Sequence, residues 1–237
     1  MSLAGIDFAR VQMVTFDVGG TLLEPYPGVG QVYAEILLQS GVLLSPFIID
    51  KRFQEIFKKL RANPARREIS EQTAQAFWRE IVRHCIQPEC PAAQVQDVFQ
   101  ELWFEFSQAR RWRALPGAGE LLAALAGSRR KVAVLSNWDA RLRKVLEELD
   151  WERKLDGIFI SSELGAEKPD ARVFRAVEEA LQLPASACLH VGDSYAQDYD
   201  AARAAGWQAA LYSIQAPAGE PAIPSFNSLN DLIPYLA

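Results

Sequence analysis

Apolar residues fall into two textures along this chain. Short runs that are apolar at nearly every position occur as VQMVTFDV (11–18), KVAVLSN (131–137), GIFIS (157–161), ACLHVGD (187–193) and QAALYS (208–213). Lacking a polar face, each predicts a strand buried on both sides. Around the later runs apolar residues return at helical spacing: ELLAAL before the second, ARLRKVLEEL after it, ARVFRAVEEAL before the fourth and AQDYDAARAAG after it. Strands alternating with helices in this way predict right-handed crossovers and an α/β fold with a parallel, Rossmann-like sheet.

One connection breaks that rhythm. Residues 19–130 separate the first run from the second, against the usual loop of about 2–6 residues in such units. The segment is striped: YAEILLQSG places Tyr33, Ile36 and Leu37 before Gly41. FQEIFKKL places Phe53, Ile56, Phe57 and Leu60, FWREIV places Phe77, Trp78, Ile81 and Val82, and VFQELWFEF places Val98, Phe99, Leu102, Trp103 and Phe106. Four amphipathic helices, from about residue 28 to 109, can bury these stripes against one another, which predicts an inserted helical bundle. Proline and glycine at both junctions, PYPG and LPGAG, suit hinges. The expected organisation is a core of residues 1–22 and 113–237 with a helical domain at 23–112.

Composition narrows the classes. With 237 residues, 49% hydrophobic and 23% charged, the chain has the make-up of a globular protein. A net charge of −5 argues against a nucleic-acid surface, which needs clustered Lys and Arg. No apolar run reaches the roughly 20 residues of a membrane helix, and Asp7 interrupts the N-terminal stretch where a secretion signal would be apolar. The expectation is a cytoplasmic protein with neither membrane nor nucleic-acid partner. Three cysteines, Cys85, Cys90 and Cys188, show no paired spacing and predict a reduced state. HCIQPEC suggests a metal site from His84, Cys85 and Cys90, but the cluster has no second half and sits at the end of an apolar stripe.

In an open parallel sheet, ligands bind beyond the carboxyl ends of the strands. Four polar groups are expected there: Asp17 after the first strand, Ser136 with Asn137 after the second, Lys168 in EKPD, and Asp193 after the fourth. Each also has a structural account on its own. Asp17 can open a turn before Gly19 and Gly20, Ser136 and Asn137 can cap, Lys168 can be solvated beside Pro169, and Asp193 can cap a helix. Their convergence on one edge is what favours a site.

DVGGTLL, LSNWD, EKPD and HVGDSYAQD, in this order, resemble the four motifs of the haloacid dehalogenase-like (HAD) hydrolase superfamily. The resemblance covers the core from about residue 11 to 214, and the helical insertion stands where that superfamily carries its C1 cap, which is expected to close over the site. It implies a hydrolase with a small-molecule substrate. Asp17 would be the nucleophile, giving an aspartyl-phosphate. Mg²⁺ would be held by Asp17, Asp193 and the backbone carbonyl of Gly19. Asp198 would hold a metal-bound water or orient Lys168, or simply favour a helix N-terminus. Lys168 would neutralise the phosphoryl group, Ser136, Asn137, Thr21 and the backbone at Gly20 would bind it, and Thr21 would also support the Asp17 loop. The glycines at 19 and 20 are expected to permit an unusual φ and a close approach to metal and phosphate.

The chain departs from the pattern at Gly19. Most phosphatases of the superfamily carry there a second aspartate that protonates the leaving group, a contribution of typically 10²–10⁴-fold; the resemblance is to a subfamily lacking it. A Mg²⁺-dependent phosphatase with reduced general-acid capacity is the first reading. A 2-haloacid dehalogenase needs no such acid, but does not carry the GDS form of the fourth motif. A phosphonate hydrolase would need a Schiff-base lysine, for which Lys51, Lys58 and Lys59 are available. A phospho-ligand or protein-binding domain has no need of a nucleophile.

Overall fold

The computed structural model describes residues 3–62, 68–213 and 223–237; residue 214, the far end of the family resemblance, lies outside them. Among the described residues the chain runs β1 (Met13–Phe16), β2 (Leu23–Pro25), α1 (Val29–Gln39), α2 (Pro46–Arg61), α3 (Glu71–Ile86), α4 (Val95–Glu105), β3 (Trp112–Ala114), α5 (Ala118–Ala126) and β4 (Lys131–Ser136). It continues α6 (Arg141–Glu148), β5 (Gly157–Ile160), α7 (Ser161–Leu164), α8 (Ala171–Leu181), β6 (Cys188–Gly192), α9 (Ala201–Ala204), β7 (Gln208–Tyr212), β8 (Ser225–Phe226) and α10 (Ile233–Leu236).

Two compact units result: Met1–Glu24 with Ala114–Ala237, and Pro25–Arg113. The first is built on a six-stranded sheet in the order β5-β4-β1-β6-β7-β8, parallel throughout. All four β1 residues are buried, as a central strand with no polar face must be. One face packs Met13, Ala133 and Leu135 against Phe174, Val177 and Trp207. Because the chain goes from β1 to β4 on one side and later to β6 on the other, the order reverses at β1. That is where a doubly wound sheet opens a crevice.

The second unit is the helical bundle. Tyr33, Ile36 and Leu37 of α1, Ile49 and Ile56 of α2, Ile81, Val82, Cys85 and Ile86 of α3 and Val98, Phe99 and Leu102 of α4 form one buried cluster. Phe53, Phe57, Phe77 and Trp78 stack around it at 5.5–6.3 Å between ring centroids. Lys51, Lys58 and Lys59 are exposed on α2. The HCIQPEC cysteines are core residues: Cys85 is fully enclosed and burial pushes its thiol up to about 12. Within this unit His84 turns its Nδ1 to the Glu80 carbonyl, 2.9 Å away.

Three short strands escaped the sequence reading. β8 is two residues long, and β2 and β3, which pair with one another, are LEP and WRA, with too few apolar residues to register as runs. Among the described residues no helix is long and apolar enough to cross a membrane.

Candidate active site

Asp17 stands one residue past β1, at the reversal point of the sheet, with its N–H donated to the carbonyl of Val191 at 2.8 Å. Its carboxylate is buried. Oδ1 accepts from the hydroxyl of Ser136 (3.0 Å), the last residue of β4, and from the ammonium of Lys168 (2.8 Å). Lys168 comes from the loop between α7 and α8; it is 1% exposed and also donates to Asp198 Oδ1 at 2.5 Å. Burial opposes its charge, but Asp17 and Asp198 outweigh burial and hold its pKa above the usual lysine value. Asp198 shows the reciprocal effect: burial disfavours its charge, yet Lys168 and a hydrogen bond from His190 hold it well below the usual carboxylate range.

Local structure explains how Asp198 reaches so far in. After β6 the chain makes a π turn, Tyr195–Asp200, opened by Ser194, whose hydroxyl accepts from the N–H of Gln197. The N–H of Ser194 donates to Asp198 Oδ2 at 2.8 Å. Gly192 is required beneath it, since a Cβ there would collide with the Asp198 carboxylate. Such π turns frequently mark functional sites.

Asp193 completes an acidic triad: one oxygen each of Asp17, Asp193 and Asp198 lies within 4.8 Å of the others. Thr21 donates a long hydrogen bond to Asp193, 3.4 Å. Although part of the Asp193 side chain is open to solvent, its carboxyl is flanked by protein. That desolvation, with repulsion from Asp17 and Asp198, pushes it up to about 6. Three carboxylates and one ammonium leave an excess of negative charge, and hard oxygen donors at this spacing suit a small divalent cation. Asp17 and Asp193 have oxygens open to it, whereas both oxygens of Asp198 already accept from Lys168, His190 and Ser194.

All nine residues nominated from sequence therefore lie at this end of the sheet, though not all point the same way. Asn137 turns towards the protein: its Nδ2 donates to the carbonyl of Lys168 (2.9 Å) and its Oδ1 accepts from the Lys168 N–H (2.8 Å). The two glycines also divide. Gly20 has φ +83°, and a Cβ there would lie 2.5 Å from Asp193 Oδ2, so the unusual φ expected from the sequence is found there. At Gly19 that φ is not found. Its φ is outside the left-handed region and a Cβ would meet only Trp138, at 3.6 Å. The turn is closed instead by the N–H groups of Leu22 and Leu23 on the Val18 carbonyl, both 2.9 Å.

Sequence reasoning missed Thr15 and His190, both fully buried and joined at 2.8 Å. His190 Nε2 lies 3.1 Å from Asp198 Oδ1. The available signal was a polar residue two and three places before the motif aspartates, inside otherwise apolar strands.

Residues 11–206 match the sequence model of the haloacid dehalogenase-like hydrolases. The chain is 31% identical over 237 residues to mouse haloacid dehalogenase-like hydrolase domain-containing protein 3, covering 96% of this chain and 94% of that one. Among solved structures it resembles a HAD phosphatase from Thermococcus onnurineus (TM-score 0.66, 19% identity, 94% and 96% of the two chains). It resembles equally a 2-haloacid dehalogenase from Pseudomonas syringae (TM-score 0.66, 24% identity, 95% and 98%). At these identities the two structures share the fold and do not choose between their chemistries.

Proposed function

The chain belongs to the haloacid dehalogenase-like hydrolases, and on that premise we propose that it is a Mg²⁺-dependent phosphatase acting on a small phosphorylated molecule through an aspartyl-phosphate on Asp17. The observation that carries this reading is the acidic triad around Asp17 against a single buried ammonium, Lys168. A halide-displacing enzyme has no use for the extra carboxylate of Asp193, and the excess negative charge would repel the carboxylate of a 2-haloacid. A phosphate ester with its cation is what such a site suits. The helical unit is read as the family's cap.

Asp17 and Asp193, with the carbonyl of Gly19, would hold Mg²⁺, Asp198 contributing through a bound water. When bound, the ion supplies the positive charge that lets an anionic nucleophile meet an anionic phosphoryl group. The chain's own residues do the rest. With its carboxylate fixed by Ser136 and Lys168, Asp17 attacks phosphorus, the P–O bond to the leaving group breaks, and its electron pair leaves with that oxygen. Lys168 keeps Asp17 ionised and balances charge on the phosphoryl oxygens; Ser136 and the backbone around Gly20 orient them. Water then attacks the phosphorus of the aspartyl-phosphate and releases phosphate, restoring Asp17. Asn137 acts by fixing the Lys168 backbone, and Thr21 by steadying Asp193.

A panel of small phosphate esters and 2-haloacids, assayed with and without Mg²⁺, tests this. Phosphate release that needs Mg²⁺, lost in Asp17→Asn by on the order of 10⁵-fold or more, is the expected result. Halide release in metal-free buffer would replace the reading with a dehalogenase, and wild-type turnover in Asp17→Asn would remove the nucleophile.

A further inference from the structure

We infer that Thr15 and His190 are positioning residues that hold Asp198 against Lys168, with the His190 ring fixed as its Nε2–H tautomer. The inference rests on the reading of Lys168 as the cation at the reacting carboxylate.

Thr15 and His190 are register partners on the adjacent strands β1 and β6. Since side chains alternate along a strand, Thr15 lies on the same face as Asp17, two residues on. The hydroxyl of Thr15 is 2.8 Å from Nδ1, Nε2 is 3.1 Å from Asp198 Oδ1, and Lys168 Nζ stands 3.5 Å from Nε2. Phe174 packs its edge on the ring at 5.7 Å. The Asp17 carboxylate also lies near enough to act on the charge of the ring, and Thr15, His190, Lys168 and Asp198 are all buried.

An imidazolium would set a second positive charge 3.5 Å from the Lys168 ammonium in a buried site, so the ring is neutral, and proton bookkeeping on this chain of contacts then has one solution. Asp198, ionised beside the ammonium, can only accept, so Nε2 must carry the hydrogen. Nδ1 is then an acceptor, and the Thr15 hydroxyl must donate to it. Lys168 also can only donate, so its approach to Nε2 is packing and not a hydrogen bond. The neutral ring agrees with its setting: burial, then the nearby ammonium, hold His190 below the usual histidine value.

The consequence reaches the reacting carboxylate. Lys168 carries its charge on a flexible four-carbon stem, and its place at Asp17 is set by the second contact, to Asp198 Oδ1. That same oxygen is the one His190 holds. A histidine merely filling the core would satisfy its own nitrogens without affecting where Lys168 sits.

Two measurements test the inference on the full chain. In the first, ring nitrogen chemical shifts of ¹⁵N-histidine protein, assigned by loss of the signals in His190→Gln, report the tautomer. The expected result is a protonated Nε2 and an acceptor Nδ1, with the Nδ1 resonance moving towards that of an acceptor without a donor in Thr15→Val while Nε2 keeps its hydrogen. A wild-type Nδ1–H ring, or an Nδ1 resonance unmoved by Thr15→Val, overturns the inference. In the second, His190→Leu is expected to lower kcat by about 10–100-fold with KM nearly unchanged, the range typical of groups that orient a working residue. His190→Gln, which can still donate to Asp198, is expected to recover most of that loss. Circular dichroism and Tm of each variant separate misfolding from misplacement. Equal kcat in a folded His190→Leu, or no recovery in a folded His190→Gln, also overturns it. If no ester is turned over, the phosphatase reading is what fails, and the tautomer measurement decides this inference alone.

Discussion

Asn137 and Lys168 clasp each other: the Lys168 N–H donates to Asn137 Oδ1 at 2.8 Å, and Asn137 Nδ2 donates back to the Lys168 carbonyl at 2.9 Å. A side chain so engaged on protein backbone acts on a substrate through the lysine it holds. Asn137→Ala is therefore expected to reduce kcat by about 10–100-fold while leaving KM for the phosphate ester near its wild-type value. Steady-state kinetics decide, since a residue that bound the phosphoryl group directly would raise KM.

Lys168 is the counter-charge for the enclosed carboxylates of Asp17 and Asp198. Lys168→Met leaves them without it, a change that costs about 3–5 kcal/mol when one member of a buried ion pair is removed. Urea denaturation of the metal-free variant at neutral pH checks the stability loss, and the same protein should show no phosphatase turnover.

The glycine pair makes two opposite predictions. Gly20→Ala puts a side chain into the left-handed region and against Asp193, so it should lose about 1–2 kcal/mol of stability and weaken Mg²⁺ binding measured by calorimetry. Gly19→Ala should fold and bind Mg²⁺ as the wild type does, because its backbone is ordinary and its Cβ would have room.

With no carboxyl group at position 19, turnover is expected to depend steeply on the leaving group, with aryl and acyl phosphates hydrolysed well and sugar phosphates poorly. A series of phenyl and alkyl phosphates measures the slope. Gly19→Asp should flatten it by raising the rate on alkyl esters; a wild-type enzyme that shows no slope would mean another group supplies the proton.

The thiols give a pH dependence far from the site. Burial pushes Cys85 and Cys188 from 9.0 up to about 12. The unfolded chain releases these protons first, so between those values the native state binds more protons than the unfolded state and stability falls as pH rises. Their contribution is intact below pH 9 and lost towards 12. Denaturation midpoints at pH 8 and pH 10.5 should differ less in Cys85→Ala than in the wild type, and native protein at pH 8 should leave both thiols unmodified by iodoacetamide.

The sequence by itself determined what local periodicity encodes. Apolar runs without a polar face became strands, though GIFIS formed the half-buried edge strand β5 and not one covered on both sides, because among the described residues nothing pairs beyond it in the sheet order; striped segments became helices seeking one another, and Asp17, Ser136 and Asp193 were already marked at the carboxyl ends of β1, β4 and β6. Tertiary structure alone decided which way those residues point and what they touch. Asn137 turned inward because the loop carrying Lys168, 31 residues away in sequence, came to lie against it. Thr15 and His190 became partners because β6 returned beside β1 across 175 positions. The freedom of Gly19 was likewise hidden, since two adjacent glycines read alike until a carboxylate stands over one of them. Spacing along a chain records the period of a single element, whereas charge and hydrogen-bond partnership depend on which elements the sheet order makes neighbours.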